Sequence, residues 1–392
     1  MPSRVVYVGS GAVGQAKVSN SPVFGKLAVP TEERAAIVSL TVDEERGTLA
    51  VLRVEEQPFH VGWLVPHPLN GHLYGVGGGK AHSWAVGSDG SLTLTSSSDT
   101  AGGSAFLELS CDGRWALSAS YGAGTLAVLP ISPNGALGMA TCVKMHSLRL
   151  NPTLADRQEG CHPHQIRLDP HTNKWALSCD LGASRVWVYS FDSVTGTLVG
   201  EADSPRHLLL PESAGPRHLD FHPSGRWVYI LCELDGCLVV CDWDAEVGKL
   251  SPKQTLCALA EGIACSRAHH SGNAHVAVST DGGVVFVSSR TDNVLNRFAV
   301  DLTDGTLRRC PGEHASTRGV CPRNFSLEES TSYGAVVRVL NQDSQNVVSF
   351  PMAHDWSDHV GEAVVLELLG VCPVVITAPV VLPTSGGSVA DC

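Results

Sequence analysis

A glycine turn returns through this chain at a nearly regular interval, and that recurrence limits the possible folds more than any other feature. It reads RGTL around Gly47, DGSL at Gly90, NGAL at Gly135, TGTL at Gly196, VGKL at Gly248 and DGTL at Gly305, with spacings of 43, 45, 61, 52 and 57 residues. A second turn interleaves with the first: LNGHLYGV (69–76), CDGRWALS (111–118), PHTNKWALS (170–178), PSGRWVYI (223–230) and TDGGVVFVS (280–288). Alternating apolar runs flank each second turn, as in HLDFHPSGRWVYI, and Gly supplies the positive φ of a tight hairpin. Two hairpin turns in about fifty residues give four strands per unit, and four-stranded units repeated radially make a β-propeller. Six periods fill residues 41 to about 345, leaving the strand-like VVYVGS near the N-terminus and an apolar C-terminal segment to complete a seventh blade. The expected fold is therefore all-β: a seven-bladed β-propeller of four-stranded antiparallel blades around a central channel. Residues 1–392 are expected to form a single domain, its ring closed by N- and C-terminal strands. Two stacked β-sandwiches are the rival reading, which the regularity of the turn repeat weighs against.

Bulk composition narrows the function. The chain is 43% hydrophobic and carries a formal charge of −12, so a large core is available and bulk attraction to nucleic acid or an anionic membrane is not. An anionic substrate would have to be held by a local cluster of Arg and His against the overall field. The 13 Cys residues show no CxxC pair and no zinc-like spacing, so no metal is expected and the thiols read as reduced. MPSRVVYVGSG enters a strand at once, without a signal-peptide core, and the expected location is cytoplasmic. AVVLELLGVCPVVITAPVVL (363–382) has the length of a membrane span, but Glu367, Pro373, Pro379 and its β-branched residues fit two short buried strands. GSGAVG (9–14) resembles a dinucleotide loop, yet no helical pattern follows it, and no cofactor is expected.

In a repeat, equivalent positions carry scaffold residues, so exceptions stand out. Around the start of successive innermost strands lie GGSAFLELS (102–110), CHPHQIRLD (161–169), AGPRHLDFH (214–222), GNAHVAVS (272–279) and CPRNFSLEE (321–329). The slot after Pro or its equivalent holds Ala105, His164, Arg217, Ala274 and Arg323. The far end of the next strand holds, to within one residue, Tyr121, Asp180, Glu233, Arg290 and Asn341. Such slots lie near the propeller axis, where converging charges are costly unless they pair or bind something. Arg217 and Glu233 are thus expected to face one central funnel, with purely structural Arg–Glu lacing of the channel as the plain alternative. His162 and His218 read as supports, and His269 and His270 fall in an irregular loop within reach of the rim.

GCHPHQIRLDP, CDLGASRVWVYSFDSVTGTL and GPRHLDFHPSGRWVYILCELDG resemble the lactonase family of seven-bladed β-propellers, which includes one type of 6-phosphogluconolactonase and the fungal 3-carboxy-cis,cis-muconate cyclase. SSRTDNVLNRFAVD (288–301) and CPRNFSLEE fit its later blades, and the likeness is specific from about residue 100 to 350. The first blade departs most, since HVGWLVPHP lacks the family's usual Pro-containing start, and SSR replaces the usual Asn before Arg290. The resemblance implies a catalytic set of His164, with His162 as the less favoured choice, Arg217, Glu233 and Arg290; the blade comparison adds His162, Asp180, His218 and Arg323 as expected substrate contacts. Either Glu233 or His164 would serve as base. The implied activity is hydrolysis of a sugar-acid lactone, 6-phosphogluconolactone in the oxidative pentose phosphate route. A muconate-cyclase-type lactonising reaction and a non-catalytic interaction scaffold are the alternatives. The implied partner is a small anionic lactone, acting on a monomer or weak homo-oligomer, without metal or cofactor.

Overall fold

Runs of Val, Leu, Ile, Tyr and Trp alternating with small residues favour a pleated, packed backbone, and they become the strands. The computed structural model describes residues 4–10, 35–147, 155–200, 206–263, 265, 272–310, 315–358, 360–368 and 370–382. The strands form seven antiparallel sheets. Blades one to six occupy residues 61–99, 104–145, 163–209, 216–257, 273–316 and 322–367, each starting with its innermost strand. Blade seven is assembled from both chain regions left over by the repeat. Pro373–Ile376 is innermost, followed outward by Arg4–Ser10, Ala36–Val42 and Leu49–Glu56. The innermost strands touch in order, and Pro373–Ile376 meets both Pro322–Ser330 and Val61–Pro66, which closes the ring. The only helix among the described residues is Ala155–Gln158, so no described helix is long and apolar enough to cross a membrane.

The segment 363–382 departs from the expected pair of buried strands. Its first strand, Val364–Glu367, is the mostly exposed outer edge of blade six. Only Pro373–Ile376 is fully buried, and the short Val380–Val381 also pairs with Arg4–Ser10. Edge position, not hydrophobicity, decides this. An outermost strand has one neighbour in its sheet, whereas an innermost one has blades on both sides.

The recurring glycines have a packing cause as well as a turn. In blades three, four and five the turn Gly lies on the indole of the blade before, Gly196 on Trp115, Gly248 on Trp175 and Gly305 on Trp227, whereas Gly47, Gly90 and Gly135 lie on Tyr333, Leu52 and His72. A Cβ at Gly196 would fall 2.0 Å from Trp115 Cζ3, and one at Gly305 would fall 2.2 Å from Trp227 Cδ2. The tryptophans of the second turn and the glycines of the first are therefore two halves of one inter-blade contact. Blade faces pack in the same way, with Leu177 and Val186 of blade three against Leu219 and Ile230 of blade four.

All seven innermost strands share a further irregularity. Each carries one extra residue relative to its partner, directly after its first paired residue. Such β-bulges turn a side chain out of the regular alternation. In blades three, four and six the extra residues are His164, Arg217 and Arg323. Blades one, two and seven place Gly62, Ala105 and Val374 there, and in blade five the irregularity spans Ala274 and His275.

Candidate active site

The bulges build the wall of one cavity of about 380 Å³ at this end of the channel. Gly62, Ala105, His164, Arg217, Arg323 and Val374 all line it. Trp63 and His218, each one residue beyond a bulge, complete the wall together with His60 and the hairpin glycines Gly77–Gly79.

Glu233 lies behind Arg217, in the turn after the strand Trp227–Cys232, where its N–H donates to Gly215 O at 2.8 Å. It is 3% exposed and clasped by three guanidiniums. Arg157 Nη2 donates to Oε1 at 2.8 Å, Arg290 Nη2 lies 2.9 Å from Oε1, and Arg217 Nε lies 2.9 Å from Oε2. Burial alone would raise the Glu233 pKa, but Arg290, Arg217 and Arg157 outweigh it and hold the carboxyl well below the usual range. Burial and neighbouring Arg290 pull the Arg217 pKa down. A guanidinium with a carboxylate at 2.9 Å nevertheless stays protonated at neutral pH. Arg290 is anchored from the other side, since its Nε donates to Gly272 O at 2.8 Å.

The histidines behave differently. His164 is 8% exposed, its Nδ1 has no hydrogen-bond partner, and burial and Arg217 keep it neutral well below the ordinary histidine value. His218 Nε2 faces Arg217 Nη1 at 3.2 Å, and its Nδ1 faces His275 Nδ1 at 2.9 Å. A guanidinium can only donate, so His218 Nε2 accepts, its Nδ1–H donates to His275, and the His275 proton sits on Nε2. Burial and Arg217 depress both rings, His275 to about 3. The Arg217 Nη1 group also donates to Ala274 O, so the cavity-facing guanidinium is held by a carboxylate, an imidazole and a backbone carbonyl.

A pH dependence of stability follows. His164, His218 and His275 are neutral in the fold and titrate near 6.5 once unfolded, so the unfolded chain binds more protons as pH falls below that value. Stability should therefore drop on acidification by roughly 1.4 kcal/mol per pH unit for each ring. Glu108, pushed up to about 7, acts in the opposite direction, as do Glu55, Asp220 and Asp235, whose carboxyls burial also raises. Urea midpoints at pH 7.5, 6.0 and 5.0 should decline, and a flat series would show that the rings reach water.

Four expected residues line the cavity directly: His164, Arg217, His218 and Arg323. Glu233 and Arg290 join them through ion contacts rather than through the wall. His162 is not on the wall. It stacks on Tyr121 at 4.3 Å, and its Nδ1 meets Tyr121 O at 2.8 Å, so it supports the ring beside His164. Asp180 is not a cavity group either, and its substrate role is corrected to a structural one. It is fully buried, and its carboxylate accepts from the N–H groups of His162 and Ala183 and from Trp187 Nε1, and pairs with His146. Asp180 pairs with Pro163 as Cys232 pairs with Pro216, so it stands one residue before the Glu233 position, and one residue reverses the side-chain direction. His269 and His270 lie outside the described residues. Sequence reasoning missed Arg157, His275 and Trp63. Arg157 comes from the short helix between blades two and three, beyond any repeat, and donates to both Glu233 and Tyr121 Oη. Among the described residues, no group of three or more His, Cys, Asp or Glu is placed to hold a metal ion.

A seven-bladed ring with histidine and arginines turned by bulges onto one cavity, backed by a buried Arg–Glu cluster, places the chain among propellers with a polar axial pocket. The family described as "Lactonase, 7-bladed beta-propeller" matches residues 26–357, and the chain belongs to that family. The 6-phosphogluconolactonase of Pectobacterium atrosepticum is 29% identical over 306 residues, 77% of this chain and 83% of that one. The 6-phosphogluconolactonase of Bacillus subtilis is 26% identical over 60% of this chain and 62% of its own. The solved structure of the Pseudomonas aeruginosa periplasmic gluconolactonase PpgL superposes with a TM-score of 0.79 at 26% identity, covering 97% of this chain and 100% of that one.

Proposed function

We propose that the protein hydrolyses an anionic sugar-acid lactone, 6-phosphogluconolactone foremost. The observation that carries this reading is the charge at the cavity. Arg157, Arg217 and Arg290 gather around one buried carboxylate, and two guanidiniums, Arg217 and Arg323, look into the cavity beside a neutral histidine. Excess positive charge in a partly desolvated wall attracts phosphate or carboxylate. The names of the Pectobacterium and Bacillus relatives support the same substrate class.

The two candidate bases separate on their surroundings. Both Glu233 oxygens face guanidiniums and the residue does not line the cavity, which makes it an electrostatic anchor rather than the base. The His164 ring is neutral and lines the cavity. In this reading His164 removes a proton from water as the water oxygen adds to the lactone carbonyl. Arg217 stabilises the oxyanion, the ring C–O bond breaks, and the imidazolium returns the proton to the departing ring oxygen, leaving one hydroxy acid.

The test is the decay of freshly generated 6-phosphogluconolactone with and without protein, EDTA present, corrected for spontaneous hydrolysis. Acceleration is expected. Turnover of unphosphorylated glucono-δ-lactone alone would move the substrate to uncharged lactones, and no acceleration of either would overturn the hydrolytic reading.

A further inference from the structure

The cavity has two unlike walls, and the mechanism uses only one. Opposite the arginine side stand Gly62 and Trp63 of blade one, Gly77–Gly79 and Gly103, a wall without Asp, Glu, Lys or Arg. Gly62 and Trp63 of this surface come from HVGWLVPHP (60–68), the stretch whose likeness to the family is weakest. Gly62 occupies the bulge that carries His164, Arg217 and Arg323 in other blades, so a side chain there would enter the cavity. A Cβ at Gly62 would find no atom nearer than Val76 O at 3.9 Å, and one at Gly103 would find nothing within 4 Å. The space is therefore open because the side chains are missing, not because the backbone is crowded.

Trp63 lines that space and is braced by neighbouring rings, Phe106, His218 and His275. Its ring packs on Phe106 at 4.1 Å and stands edge-on to His218 at 5.6 Å and 90°. His218 in turn meets Arg217 at 3.2 Å, so indole, imidazole and guanidinium form one continuous surface. A substrate with its carbonyl oxygen against Arg217 would carry its ring over the indole. The face of a six-membered sugar ring offers C–H bonds with slight positive charge to the negative face of an aromatic ring, and a concave apolar wall with a few convergent polar groups suits such a ligand.

We propose that Trp63 is the platform for the ring of a phosphorylated or carboxylated six-membered sugar lactone, and that the empty bulge at Gly62 makes the room for that ring. The inference rests on the reading of this cavity as a lactone site, and it concerns specificity: the arginine wall selects charge, and the blade-one wall selects a ring. Gly62→Val and Trp63→Leu test it by different means, one filling the space and the other removing the platform.

Calorimetry with glucose 6-phosphate, a phosphorylated ring that cannot be hydrolysed, reads the ring wall, and inorganic phosphate reads the arginine wall. The expected result is binding of both probes by the parent protein, and at least a tenfold loss of glucose 6-phosphate affinity in Gly62→Val with phosphate affinity within about twofold. Trp63→Leu should give the same differential, and if it fails to fold Gly62→Val decides alone. Unchanged glucose 6-phosphate binding in Gly62→Val, equal loss of both probes, or no binding of glucose 6-phosphate by the parent would overturn the proposal. The differential without any lactone hydrolysis would keep the ring platform and reject the hydrolytic reading. Hydrolysis without the differential would do the reverse.

Discussion

Glu233→Gln is expected to lower lactone turnover by at least about a hundredfold, the scale of losing one electrostatic element of a preorganised site, and to destabilise the fold by about 3 kcal/mol. The two losses have one cause. Arg217 is 2% exposed and relies on the Glu233 carboxylate, whereas Arg157 and Arg290, with side chains 46% and 20% exposed, can turn partly toward water. A neutral amide keeps the shape but leaves the deepest guanidinium without its counter-charge. Steady-state kinetics with 6-phosphogluconolactone and a thermal melt read both effects. Lost activity with an unchanged Tm would mean that water reaches Arg217 and that the clasp is functional only. Lost Tm with retained kcat would make it structural lacing.

His164→Ala should behave in the opposite way: turnover down by about 10²- to 10⁴-fold, the range for removing a positioned acid–base group, with Tm unchanged or slightly raised. The ring is buried and its Nδ1 makes no hydrogen bond, so removal relieves a desolvated polar atom rather than breaking a network. The pH profile provides the second readout. A base held neutral far below 6.5 stays competent as pH falls through 6, so the acid limb of kcat/KM should lie below the ordinary histidine range. An acid limb at 6.5 or above, or full activity in His164→Ala, would assign the base elsewhere.

Much of this was legible in the sequence, for reasons the structure makes explicit. Gly196, Gly248 and Gly305 recur because each combines a positive φ with an indole pressed against its α-carbon, and so the blade count could be read from them. Arg217 and His164 could be found because the bulge follows a proline or its equivalent in nearly every blade. Alternation alone would have misdirected them. Asp180 shows the limit of that procedure, since a shift of one residue separates an anchor inside the blade from the Glu233 position. Arg157 was out of reach because no repeat positions it, and its role depends on a helix of four residues placed over Glu233. His275 was hidden by its neighbour: the column entered by Ala274 looks inert, while the next residue carries the hydrogen bond to His218.

The shared bulge also bears on how such a ring can change its chemistry. Seven sockets point at one axis, each set by backbone geometry that does not depend on what fills it, and glycine, alanine, valine, histidine and arginine all occupy one. Three hold His164, Arg217 and Arg323, those at Gly62, Ala105 and Val374 are blank, and the seventh spans Ala274 and His275. A blank socket can acquire a function by a single codon change without disturbing any strand pairing. The propeller thus separates inheritance of shape from inheritance of selectivity, and new substrates can be explored one blade at a time.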